Sequence, residues 1–296
     1  MVSKESIQDP RKQFKQGDIP EQRQSEPGLD SELTPRADHG AESYHGHGRL
    51  SGRRALITGG DSGIGRAVAI AYAREGADVA IAYLPSEQGD ADEVIQAIES
   101  AGQKAVALPG DLTDEAYARS LAHRAYEELG GLDIVVNNAG KQVHNEDIAT
   151  IPTTQLVDTF TVNVFAMFWI VQEALQYLPA GATIINTTSI QATQPSPGLI
   201  DYASTKGAIT NLTRGLAQQL TPKGIRVNGV APGPFWTPLQ PSYGQSMEKL
   251  VQFGEGTPLG RPGQPAELAG LYVFLASEES SYISGEVVGA TGGELR

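Results

Sequence analysis

The sequence predicts an α/β fold: a doubly wound parallel sheet of about seven strands with helices on both faces, in a single domain behind an N-terminal arm. Three observations predict it. From residue 51 onward, short apolar runs alternate with longer helical stretches, the pattern of a parallel sheet covered on both sides. The first apolar run ends in clustered glycines that open a helix. Residues 1–50 have another texture, with Pro10, Pro20, Pro27 and Pro35 and only scattered apolar residues.

Taken in order, residues 55–58 read as the first strand and 62–75 as the first helix. Residues 78–83 make the second strand and 90–100 a helix with Val94, Ile95 and Ile98 on one face. A third strand at 104–108 and a helix at 113–129 lead to the fourth strand at 133–137. One long helix is expected over 154–178, then a strand at 182–187, a helix at 202–220 and a strand at 225–230. The stretch 233–258 breaks the rhythm with Pro234, Pro238, Pro241, Phe235, Trp236 and Phe253, and reads as a substrate loop. A helix at 265–275 and a strand at 285–289 close the domain, 51–296. The arm, 1–50, is either a disordered tail or an extended segment anchored on a neighbouring subunit by Phe14, Ile19, Leu29, Leu33 and Tyr44.

Composition excludes several functions. The net charge of −13 disfavours nucleic acid and anionic membrane surfaces as partners. The apolar run 164–171 is too short to span a bilayer and reads as buried helix. The start, Met1-Val2-Ser3-Lys4-Glu5, is not a secretory signal, so a cytoplasmic location is expected. With no cysteine there is no disulfide framework, thiolate metal site or cysteine nucleophile. His39, His45 and His47 lack a ligand pattern, and no metal is expected. Asn186-Thr187-Thr188 and Asn211-Leu212-Thr213 match a glycosylation pattern by accident, since the first lies in a strand that should be buried.

The turn Gly59-Gly60-Asp61-Ser62-Gly63-Ile64-Gly65 follows a strand and opens a helix. Glycines there permit a tight turn and a close approach of backbone to pyrophosphate, while the helix N-terminus offers free N–H groups. A nucleoside-triphosphate loop is excluded because no Gly-Lys-Ser/Thr follows. The reading is a Rossmann-type dinucleotide site.

Further motifs sharpen it. Asn137-Asn138-Ala139-Gly140 ends the fourth strand, Ser189 precedes Tyr202, and Lys206 completes Tyr-x-x-x-Lys. Pro232-Gly233 ends the sixth strand, with Thr237 beyond it. Together with the Gly-x-x-x-Gly-x-Gly spacing, this set resembles the short-chain dehydrogenase/reductase family over about residues 50–296. The extension, with Ser43-Tyr44-His45-Gly46, is similar to a bacterial subgroup labelled glucose/ribitol dehydrogenase-like. The resemblance implies an NAD(P)-dependent oxidoreductase interconverting an alcohol and a carbonyl (aldehyde, ketone or sugar). It implies catalytic Asn163, Ser189, Tyr202 and Lys206, with Asn163 holding a water and Lys206 also bonding the nicotinamide ribose. It places the cofactor against Gly59, Asp61, Ser62, Gly63, Ile64, Gly65, Tyr83, Asp111, Leu112, Asn138, Ala139, Gly140, Pro232, Gly233 and Thr237. A homotetramer is implied as well.

The chemistry is consistent. Hydride transfer at a carbon needs a matching proton transfer at its oxygen, and tyrosine with an ordinary pKa near 10 is a poor base at neutral pH. Lys206, one helical turn beyond Tyr202, can favour the tyrosinate, and Ser189 can bond the substrate oxygen. Taken singly, each residue also fits a helix surface or a strand end. A Ser–Lys hydrolase would use the same residue types but would not need the glycine turn. Two competing readings are a cofactor-binding, stress-related protein with little turnover and an NAD-dependent epimerase/dehydratase, whose substrate domain is usually larger. The second strand ends Ala82-Tyr83-Leu84-Pro85, and no Lys or Arg lies between Arg74 and Lys104, which favours NAD over NADP. His144 is a candidate either for the substrate pocket or for a surface loop.

Overall fold

A computed structural model describes residues 7–14 and 18–294. Its core is a seven-stranded sheet of β1 (Arg54–Thr58), β2 (Asp78–Tyr83), β3 (Ala105–Pro109), β4 (Ile134–Asn137), β5 (Thr183–Thr187), β6 (Arg226–Pro232) and β7 (Val287–Ala290). The spatial order is β3-β2-β1-β4-β5-β6-β7 and every pairing is parallel. The doubly wound α/β expectation is met, with the seven strands expected.

Between the strands run α1 (Gly63–Arg74), α2 (Gln88–Ser100), α3 (Glu115–Leu129), α4 (Thr153–Phe160), α5 (Ala166–Ala174), α6 (Ile200–Leu220), α7 (Met247–Val251) and α8 (Pro265–Ala276). Ile57, Val79 and Ile81 join Ala67, Val68, Tyr72 and Tyr272 in one core on one face. Leu56, Val135 and Ile184 join Leu121, Ala125, Ile170 and Leu220 in the other. Alternate strand residues thus feed opposite layers, as the period of two requires. The strand order reverses between β1 and β4, and this opens a crevice at their C-terminal ends.

Three expectations change. The single helix over 154–178 is α4 and α5 joined by a π-helical turn at Thr161–Phe165. Hydrophobic period cannot reveal a π-turn, because the apolar face continues across it. The run Thr153–Ala174 is long and apolar enough to cross a membrane by composition, yet here it packs on α3 and α6. The loop 233–258 is less irregular than its prolines suggest, since it contains a turn at Gln240–Gly244 and α7.

The third change concerns the arm. Residues 18–50 lie along their own domain rather than away from it. The Asp30 carboxylate accepts from the Gly63 amide (2.9 Å), and the Asp90 carboxylate accepts from the amides of Asp30 and Ser31. The Trp236 indole donates to the Pro35 carbonyl (2.7 Å), and Leu33 packs with Trp236, Leu250 and Phe253. Of the expected anchors, Leu33 is buried and Ile19 and Tyr44 pack at cluster edges.

Candidate active site

The crevice is a cleft of about 360 Å³, the size of a small organic ligand rather than an ion. Its wall at the β1 end is Gly59, Asp61, Ser62, Gly63 and Ile64. Tyr83 and Leu84 after β2, and Asp111 and Leu112 after β3, continue it. Asn138, Ala139 and Gly140 follow β4, with Ser189 after β5 and Pro232, Gly233 and Thr237 after β6. Tyr202 and Lys206 enter from the first turns of α6.

Two residues expected at the site stand behind it. Gly65 does not line the cleft. A Cβ there would sit 1.8 Å from the Gly59 carbonyl oxygen, so its lack of a side chain lets α1 press against the turn. Asn163 is fully buried in the π-turn. Its Oδ1 accepts from the Lys141 amide (2.7 Å), and its Nδ2 donates to the Lys141 carbonyl (2.9 Å) and the Thr205 hydroxyl (3.0 Å). The side chain therefore ties the segment after β4 to α6. Gly140 lies beside both groups, since a Cβ on it would be in ordinary contact, 3.6 Å, with Asn163 Oδ1 and Lys206 Nζ.

Ser189 caps a short 3-10 turn, accepting from the Gln191 amide at 3.1 Å. Its hydroxyl lies near Tyr202. Burial pushes Tyr202 up to about 12, and the nearby Ser189 hydroxyl works in the opposite direction. Lys206 donates to the Thr187 carbonyl (3.0 Å), and its Nζ lies 5.2 Å from the Tyr202 ring centre. Burial brings Lys206 down to about 7. Thr188 fastens β5 to α6 by donating to the Lys206 carbonyl (2.9 Å), and this holds the group in register.

The expected substrate loop 233–258 does contribute to the lining, joined by Gln142, Leu199 and Pro27 from outside it. Gln142, Gln240 and Gln245 form a polar rim, and Leu199, Phe235 and Phe253 form an apolar wall. Pro27 lines the cleft from the arm, which no local pattern could indicate. Trp236 faces the arm instead of the cleft, fully buried. His144 stands off the lining and packs on Gly198.

The donor set fits a dinucleotide: a glycine turn opening a helix at a switch point, with the buried Asp61 carboxylate lacking partners beside it. Fold and cleft define a dinucleotide-binding α/β oxidoreductase. Residues 59–294 match the family described as Enoyl-(Acyl carrier protein) reductase. The Escherichia coli oxidoreductase YghA is 60% identical over 97% of this chain and 98% of its own. The glucose and ribitol dehydrogenase of Daucus carota is 42% identical over 93% and 96%. A Burkholderia cenocepacia short chain dehydrogenase, solved in complex with NADP, is 37% identical with a TM-score of 0.77 over 83% of this chain and 98% of that one. The chain belongs to the short-chain dehydrogenase/reductase family and is an NAD(P)-dependent oxidoreductase.

Proposed function

We propose that this enzyme interconverts an alcohol and a carbonyl, with Tyr202 exchanging the proton, Ser189 bonding the substrate oxygen and Lys206 favouring the tyrosinate. The observation that carries this reading is the burial of the three side chains together in the cleft that the glycine turn opens. Without ligand, burial holds Tyr202 near 12 and Lys206 near 7, so the tyrosine keeps its proton at neutral pH. An ammonium at about the observed 5.2 Å is worth about 3 kcal/mol at an effective dielectric of ~20, or roughly two pKa units. When bound, an oxidised nicotinamide supplies the hydride acceptor and a positive charge close to the tyrosine. Ser189 holds the substrate oxygen where Tyr202 takes or returns its proton.

The polar rim of Gln142, Gln240 and Gln245 beside Phe235 and Phe253 suits a polyhydroxylated or short aldehyde substrate. The names of two relatives agree, the carrot glucose and ribitol dehydrogenase and an NADPH-dependent aldehyde reductase of Arabidopsis thaliana. NAD is the preferred cofactor in this reading, because among the described residues the cleft lining holds no arginine and Lys206 is its one lysine. Exposed Leu156, Val157, Phe165 and Phe168 on the α4–α5 run support self-association as a tetramer.

The test is turnover of a panel of aldehydes, ketones and sugars with NADH and NADPH, followed by nicotinamide absorbance. Tyr202→Phe is expected to lose turnover while still binding cofactor, and full turnover in that variant would refute the assignment. A relative named General stress protein 39 is 50% identical over 94% of the chain, so a stress role with little turnover is the second reading. Cofactor binding without turnover of any substrate would favour it.

A further inference from the structure

The β1–β2 side of the cleft holds a buried carboxyl group without partners among the described residues. Asp61 is fully buried, and among the described residues neither carboxylate oxygen has a well-formed hydrogen bond. Its nearest donors are the Ser62 hydroxyl and its own amide. An isolated buried carboxylate costs several kcal/mol, of the order of 2–7 even for a neutral polar group, so a fold does not retain one without use.

The other carboxylates around it are engaged. Asp30 accepts from the Gly63 amide and pairs with His39 (2.9 Å). Asp90 holds the amides of Asp30 and Ser31. Glu87 accepts from the Leu84 amide (2.9 Å) and, like Asp61, lines the cleft. Of the nearby cations, Arg36 pairs with Glu93 (3.7 Å) and the Asp30 carbonyl, and Arg66 pairs with Glu93 through Nη2 (2.6 Å) while its Nε and Nη1 are buried without a hydrogen bond among the described residues. Burial raises both Asp61 and Glu87; the charges of Asp30 and Asp90 raise Asp61 further, and those of Asp61 and Asp90 raise Glu87.

We propose that Asp61, with Glu87 beside it, is the acceptor pair for the adenosine ribose diol and selects a dinucleotide that lacks a 2′-phosphate. The inference rests on reading the cleft as a nicotinamide-dinucleotide site. A diol brings two O–H donors, which are what the unpartnered carboxylate lacks. A 2′-phosphate brings acceptors and roughly two further negative charges into a group of four carboxylates. The end of β2, where an acidic residue commonly makes this selection, is here Tyr83-Leu84. The acidic function has moved one strand over, into the glycine turn.

Titrating the full-length protein with NADH and NADPH, read by emission of the bound dihydronicotinamide, tests it. The unmodified protein is expected to bind NADH at least about tenfold more tightly. Asp61→Asn is expected to lose about tenfold in NADH affinity with NADPH affinity equal or higher, and Glu87→Gln to move the ratio the same way. ADP against 2′,5′-ADP as competitors should repeat the pattern, which locates the effect at the adenosine half. Without nucleotide, Asp61→Asn should melt higher, because it removes a buried unpaired charge; a residue with only a structural role would melt lower. An unchanged NADH/NADPH ratio in folded variants, or an unmodified protein favouring NADPH, overturns the proposal. Failure of both nucleotides to bind the unmodified protein overturns instead the reading beneath it.

Discussion

Glu75 is the place to test whether the arm belongs to the folded domain. It follows α1 and is fully buried. Its carboxylate accepts from the Tyr44 hydroxyl (2.6 Å), from Arg49 Nη2 (2.7 Å) and Nε (3.1 Å), and from the amides of His47 (2.8 Å) and Arg49 (3.0 Å). Burial alone would raise its pKa. The bonds from Arg49, Tyr44 and the two amides outweigh that and hold it at about 2, against an ordinary 4.5. The gap corresponds to about 3 kcal/mol of stability at pH 7. Because the folded pKa is the lower one, that contribution is present above about pH 4.5 and is lost as pH falls toward about 2. Glu75→Gln keeps the shape but turns an acceptor into a donor facing Arg49, so it should cost about 3–5 kcal/mol at pH 7. Urea denaturation followed by circular dichroism, at one protein concentration, measures it. The difference between the two proteins should shrink by about 2 kcal/mol at pH 3. A cost below about 1 kcal/mol at pH 7, or one independent of pH, would show that residues 44–49 are not held as described.

Gly65→Ala would set a Cβ 1.8 Å from the Gly59 carbonyl oxygen and 2.7 Å from Asn138 Nδ2. It should weaken NADH binding by about tenfold or more with helix content kept, as titration and far-ultraviolet dichroism would show. Trp236→Ala empties a fully buried site and removes the donor to Pro35. It should cost about 3–5 kcal/mol, and limited proteolysis should then cut within residues 18–40. Alcohol oxidation needs Tyr202 without its proton, so kcat/KM should rise with pH to a plateau. Lys206→Met should displace that rise upward, and an unmoved profile would argue against Lys206 as the group that favours the tyrosinate.

Much of the catalytic domain was legible because each strand is a short apolar run between turn residues, and both sheet faces are covered. The glycine turn was legible for a related reason. Gly59 with φ 61° and Gly63 with φ 48° occupy conformations that other residues rarely adopt, so the fold writes them into the sequence. The separation of Tyr202 and Lys206 places them on one helix face whatever surrounds them. What period cannot carry is a change of helix type over an unbroken apolar face, and the π-turn around Asn163 is that case. Gly65 was misplaced for another reason. A glycine that serves packing and a glycine that serves a ligand are the same letter in a motif, and only the Gly59 carbonyl opposite tells them apart.

The arm is the instructive case. Its composition argues against self-sufficient folding, and that argument is sound for a segment alone. Yet residues 18–50 are held less by apolar area than by polar groups that the domain leaves wanting. Asp30 serves the Gly63 amide, Asp90 serves the start of a short arm helix, and Glu75 collects Tyr44 and Arg49. Each partner lies about 25 to 60 residues away in sequence, so no local window contains both halves of any of these bonds. Since a buried N–H or carboxylate without its partner costs more than the bond itself gains, the domain has as much need of the arm as the arm of the domain. The consequence is a coupling of binding to docking. With Asp30 on the amide of the glycine turn and Pro27 in the cleft wall, loosening the arm must disturb the surface on which a dinucleotide would lie.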